Sequence, residues 1–121
     1  MTAVWVALAG ALGAVARFEV DGAVQQRWTT RFPWATFSIN VTGSLLLGVL
    51  TGLTLFHGAP GDLRLIAGTG FCGGYTTFST ASVEAVRLLQ QRSYATAALA
   101  VLGTVYATIG VAALGLWLTR P

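Results

Sequence analysis

A chain of 121 residues that is 55% hydrophobic and only 9% charged cannot build an ordinary water-soluble surface, because soluble domains carry about 25% charged residues. Its net charge of +3 sets seven arginines, with no lysine, against four carboxylates. They are scattered between apolar runs, which speaks for a bilayer rather than a nucleic-acid surface. With one cysteine, Cys72, and one histidine, His57, neither an intrachain disulfide nor a Cys/His metal centre can form.

A membrane helix needs about 20 mostly apolar residues, and four segments qualify. The first runs from about Ala3 to Ala23, with Arg17, Glu19 and Asp21 towards its end. Its apolar start, Ala3 to Ala16, lacks the basic residues that precede the apolar region of a signal peptide, so it reads as a first membrane helix. The connection Gln25–Pro33 follows.

The second segment, Trp34 to Phe56, carries no charge. Thr36, Asn40 and Ser44 recur every fourth residue and share one helix face. Asn40 is the one strongly polar group, with two donors and an acceptor. It either joins helices through a hydrogen bond or faces a water-filled cavity. Gly48 and Gly52 form a GxxxG pair, which allows close packing within the chain or between copies. An oligomer is expected, because a solute pathway is hard to build inside one four-helix unit. His57, beside Gly58 and Pro60, reads as a solvated residue of the connection His57–Arg64.

The third segment, about Leu65 to Leu89, is the least regular. From Gly68 to Thr80 it holds four glycines in seven residues, then hydroxyl-bearing residues in five of the next six. Glycine disfavours helix and hydroxyls compete for main-chain partners, so a break is expected near Gly73 and Gly74. Carbonyls freed there could coordinate a cation, and a half-helix N-terminus favours an anion. The alternative is a close glycine crossing with hydroxyls bonded back to their own helix. Phe71 and Phe78 could present their positive ring edges to an anion. Glu84 and Arg87, three apart, suggest a helical ion pair.

After Gln90–Ser93 the fourth segment, Tyr94 to Leu118, is again uncharged, with Thr104 and Thr108 as a polar pair. Trp5, Trp28, Trp34 and Trp117 all fall near span ends, where amphipathic rings favour the interface. Arg27, Arg31 and Arg92 on the first and third loops outnumber Arg64 and Arg120 opposite. The excess predicts those loops in the cytoplasm and both termini outside. The expected fold is therefore an all-α membrane protein, residues 1–121 forming one unit of four transmembrane helices. No nucleophile–base pair, phosphate loop or metal cluster is present in the pattern, so no enzyme is expected. The lack of a carboxylate deep in the first, second or fourth span argues against proton coupling. The remaining neutral donors suit a small anion.

Three motifs then resemble the CrcB, or Fluc, fluoride channel family. Gly70-Phe71-Cys72-Gly73-Gly74-Tyr75-Thr76-Thr77-Phe78-Ser79-Thr80, with Glu84 following, is similar to GFxGGxTTFST…E. Pro33 to Ser44 is similar to P-x-G-T-x-x-x-N-x-x-G-[SA], and Gly10 to Phe18 to G-G-x-x-G-x-x-x-R-[YFW]. The resemblance implies an antiparallel dimer with two fluoride pathways. It implies pathway roles for Asn40 and Phe78, with Ser79 in the same motif and a polar track near Thr104 and Thr108. It implies a structural, non-transported sodium ion held by the backbone carbonyls of Gly73 and Thr76. Arg17 matches a family arginine that anchors the span or attracts ions. Two positions depart from the pattern. Ala81 stands where a second phenylalanine is usual, and Ala35 where glycine is usual. A homodimer or a heterodimer with a related, oppositely inserted subunit would both fit.

The expected function is passive, fluoride-selective efflux across a bacterial-type inner membrane, lowering cytoplasmic fluoride toxicity. A small proton-coupled four-span exporter would need a carboxylate in the first span's core. A non-conducting partner subunit would move nothing alone.

Overall fold

The computed structural model describes all residues from Met1 to Pro121, and its regular elements are all helices. Its elements are α1 (Thr2–Arg27), α2 (Trp34–His57), α3 (Gly61–Leu63), a π-helix π1 (Arg64–Cys72), α4 (Gly73–Tyr75), α5 (Phe78–Gln90) and α6 (Tyr94–Thr119). Three of them, α1, α2 and α6, are long and apolar enough to cross a membrane. The elements α3, π1 and α4 abut as one helical arm. Thr76 and Thr77 are extended (ψ 158° and 119°), and α5 then starts a second arm.

The third segment is thus interrupted, but at Thr76–Thr77 rather than at Gly73–Gly74. Gly73 keeps right-handed helical angles, φ −63° and ψ −38°. Gly74 serves packing instead, while Gly73 has open space around it. The widened π-helical turns lay the arm across α1, where a Cβ on Gly74 would overlap the Gly10 carbonyl and one on Gly13 would overlap that of Phe71. The break comes later because Thr77 caps α5, its hydroxyl accepting from Thr80 N–H at 3.2 Å. An N-cap takes non-helical angles by nature.

α2 and α6 run parallel. At one end His57 Nε2 lies 2.5 Å from the Thr119 carbonyl oxygen. At the other, Arg31 Nη1 donates to Ser93 Oγ at 2.6 Å. His57 is therefore the last residue of α2, tied to the end of α6, and not a free loop residue. Gly48 and Gly52 resolve to packing within the chain: a Cβ on Gly48 would meet the Ala112 backbone, and one on Gly52 the Thr119 side chain.

Only 18 of 121 residues are buried, with Ile39 the sole large side chain fully enclosed. Leu8, Leu12, Val15, Phe18, Leu99, Tyr106 and Ile109 all stand more than half exposed. That much apolar surface is untenable in water and is what lipid or a second subunit would cover. The chain is a multi-pass membrane protein.

Candidate functional site

The site is built around the break. In a continuous helix the Thr77 N–H would bond the Gly73 carbonyl, and the Thr80 N–H the Thr76 carbonyl. Here Thr77 N–H donates to Asn40 Oδ1 at 2.9 Å, and Thr80 N–H donates to Thr77 Oγ1. The carbonyls of Gly73 and Thr76 therefore lose their helical partners. Asn40 closes a second bond, Nδ2 donating to the Thr77 carbonyl at 3.0 Å. One side chain thus satisfies both polar groups of an extended residue that no helix serves. In a low-dielectric interior each would otherwise cost several kcal/mol.

Asn40 can do this because α2 comes very close. Gly43, one turn on, faces Thr76 and Tyr75 where a Cβ would collide with both. The Tyr75 and Thr42 hydroxyls pair at 2.8 Å. Thr76 turns its hydroxyl back to the Cys72 carbonyl at 2.8 Å, beside its own N–H at 2.9 Å.

These groups open on a groove of about 830 Å³ running between α2, the broken segment and α6. Thr36, Asn40 and Ser44 line it together, so the four-residue spacing on α2 did mark one helix face. Gly73, Thr76, Thr77 and Phe78 line it from the break, and Thr104 and Thr108 from α6. Nothing stands within 4 Å of a Cβ position on Gly73, so its backbone is open to the groove. Phe78 is 87% exposed and packs on nothing in its own chain. Ala81 lies in the same wall, so α5 contributes no second ring to it.

Not every expected side chain is turned into the groove. Ser79 is exposed outside the groove wall, its hydroxyl 3.4 Å from that of Thr77. Thr108 spends its hydroxyl on the Thr104 and Val105 carbonyls at 2.7 and 3.0 Å. Phe71 stacks on Tyr75 with centroids 5.8 Å apart, away from the groove. Asn40 is 8% exposed, with one Nδ2–H not used by Thr77. Arg17 sits well inside α1, on a smaller cavity of about 230 Å³ backed by Thr77 and Thr80. Glu84 does not settle into a simple pair with Arg87: its Oε1 is buried without a hydrogen-bond partner.

Thr77, Gly43 and the Thr42–Tyr75 pair were not singled out from the sequence. A signal existed for Thr77, a threonine just before an amphipathic run, which is an N-cap pattern.

Residues 4–116 match the family described as CrcB-like protein, camphor resistance. The chain is 58% identical over 113 residues to fluoride-specific ion channel FluC 1 of Leifsonia xyli, covering 93% of this chain and 82% of that protein. It is 49% identical to FluC 2 of Cutibacterium acnes, covering 96% and 95% of the two chains. It is 44% identical to FluC of Syntrophotalea carbinolica, covering 99% and 98%.

Proposed function

This chain belongs to the CrcB-like family, and on that premise we propose that it is a fluoride channel subunit, passing the ion passively out of the bacterial cytoplasm across the inner membrane. It is a channel and not an enzyme. The observation that carries the mechanism is the break itself. Asn40 takes over the polar groups of Thr77, and the Gly73 and Thr76 carbonyls are left free beside a groove of neutral donors. Binding by neutral donors is strong enough to replace water and weak enough to permit exit.

The two broken arms, Gly61 to Tyr75 and Phe78 to Gln90, together make the fourth crossing beside α1, α2 and α6. A second copy, inserted antiparallel, covers the groove and the exposed Phe78. Fluoride then passes Asn40, through its spare Nδ2–H, and the edge of Phe78. Ser79 at the α5 N-terminus and the Thr104–Thr108 track extend the path. The Gly73 and Thr76 carbonyls are hard oxygen donors of the kind sodium takes, and two of them fit half a shell completed by the partner copy. The ion would fix the two breaks against each other without being transported.

Purified protein in liposomes tests the reading. Rapid fluoride efflux without chloride efflux is the expected result. Drug-driven proton flux would replace it with an exporter. Ala81 in the groove wall favours one variation, a heterodimer with unequal pathways. In that case the single chain would be silent and a related subunit would restore flux.

A further inference from the structure

Two helix ends in this chain close through a residue of positive φ. After α2 it is Gly58, φ 68°; after α5 it is Arg92, φ 59°, the one non-glycine residue in that region. The turn at Arg92 is a regular helix terminus: Arg92 N–H donates to the Leu89 carbonyl at 3.0 Å and Ser93 N–H to that of Leu88 at 2.9 Å. Glycine suits such a turn, and an L side chain there is strained. Arg92 thus holds a guanidinium group at a turn where glycine would be the less strained residue.

Its surroundings indicate the purpose. Arg92 is exposed, as are Arg87 one turn earlier and Arg27 at the end of α1. Arg31, joined to Ser93, completes four guanidinium groups at this end, and it alone among them hydrogen-bonds within the chain. Asp21, the acid on α1 nearest this end, is taken by Gln25 at 2.9 Å.

Beside the arginines lies a fixed aromatic cluster. Trp34 stands 4.5 Å from Phe32 and 5.9 Å from Trp28, centroid to centroid. Phe32 anchors the cluster on Leu88, Ala97 and Ala100. Trp28 and Trp34 remain exposed. Such rings settle at headgroup level, which puts the guanidinium groups where lipid phosphates lie. The opposite end has only Arg64 and Arg120, and Arg120 is folded over Trp117 at 4.4 Å.

We infer that the end formed by Arg27, Arg87 and Arg92 with Trp28 and Trp34 is a docking surface for anionic phospholipid headgroups. Two contributions act together: rings that fix depth and guanidinium groups that pair with phosphate. Each arginine near an anionic surface strengthens attraction about fivefold. The inference needs only the membrane reading of the chain, not the fluoride pathway.

Bromolipid quenching tests it, using protein with Trp5→Phe and Trp117→Phe so that only Trp28 and Trp34 emit. The protein is placed in phosphatidylcholine vesicles containing a minor share of brominated phosphatidylglycerol, or the same share of brominated phosphatidylcholine. Stronger quenching by the anionic lipid is expected, falling several-fold in Arg87→Gln/Arg92→Gly. Arg64→Gln/Arg120→Gln should leave it unchanged. Arg92→Gly alone should hold or raise the melting temperature in zwitterionic detergent while weakening the lipid preference. Equal quenching by the two lipids would overturn the inference, as would a preference that survives Arg87→Gln/Arg92→Gly. So would inorganic phosphate at millimolar concentration abolishing the preference, since the surface would then be a free-phosphate site. Fluoride flux is a separate readout, so loss of either property leaves the other measurable.

Discussion

Asn40 places one N–H and one lone pair on Thr77, and that division sets what each substitution can do. Asn40→Ala leaves a buried N–H and a buried carbonyl unpaired, a cost of about 1–3 kcal/mol. Asn40→Asp keeps the acceptor for Thr77 N–H but turns a carboxylate oxygen towards the Thr77 carbonyl, so repulsion replaces a bond. Both variants should lose fluoride efflux from liposomes. Asn40→Asp should also melt at a lower temperature than wild type, measured by tryptophan fluorescence in detergent. An aspartate variant that keeps both flux and melting temperature would mean the bracket around Thr77 does not hold the break. The Thr108 hydroxyl, by contrast, is already committed to its own helix. It can reach an ion only by turning away from those carbonyls.

At the scale of elements, the broken segment is held by close approach rather than by filling volume. Its first arm crosses α1 through Gly74 on Gly10 and Gly13 on Phe71, backbone against backbone. A backbone carbonyl cannot rotate out of the way as a side chain can. Gly74→Ala should therefore separate the arm from α1 at a cost of about 1–3 kcal/mol. The melting temperature should drop, and flux should drop with it, because the same arm carries the Gly73 carbonyl. Gly73→Ala is the matched control: the space around Gly73 is empty, so the fold of the single chain should tolerate it.

For the whole molecule, the ratio of buried to exposed apolar surface is decisive. A ring as exposed as Phe78 contributes little to the fold of its own chain, so Phe78→Ala should alter single-chain stability by less than about 0.5 kcal/mol. If a second copy covers the groove, the same substitution should reduce flux and weaken association. Melting temperature in detergent should rise with protein concentration, as mass action requires of an assembly. Phe78→Ala should flatten that dependence. A melting temperature independent of concentration would oppose the dimer.

The membrane class, the helical segments to within a few residues and the polar face of Thr36, Asn40 and Ser44 are all legible along the chain. Those follow from hydropathy and from a period of 3.6 residues, both local properties of the chain. Composition also announced that the third segment would not be a plain helix. Tertiary structure alone decided where it breaks. Glycine only lowers the cost of departing from a helix, and whether it departs depends on what the neighbours offer. At Gly74 the neighbour is the backbone of α1, which rewards a tight crossing. At Thr77 the neighbour is the Asn40 amide, 37 residues away in the chain, which rewards an extended residue. The GxxxG pair turned inward for the same reason: spacing fixes a smooth helix face, and only the packed chain chooses what lies against it.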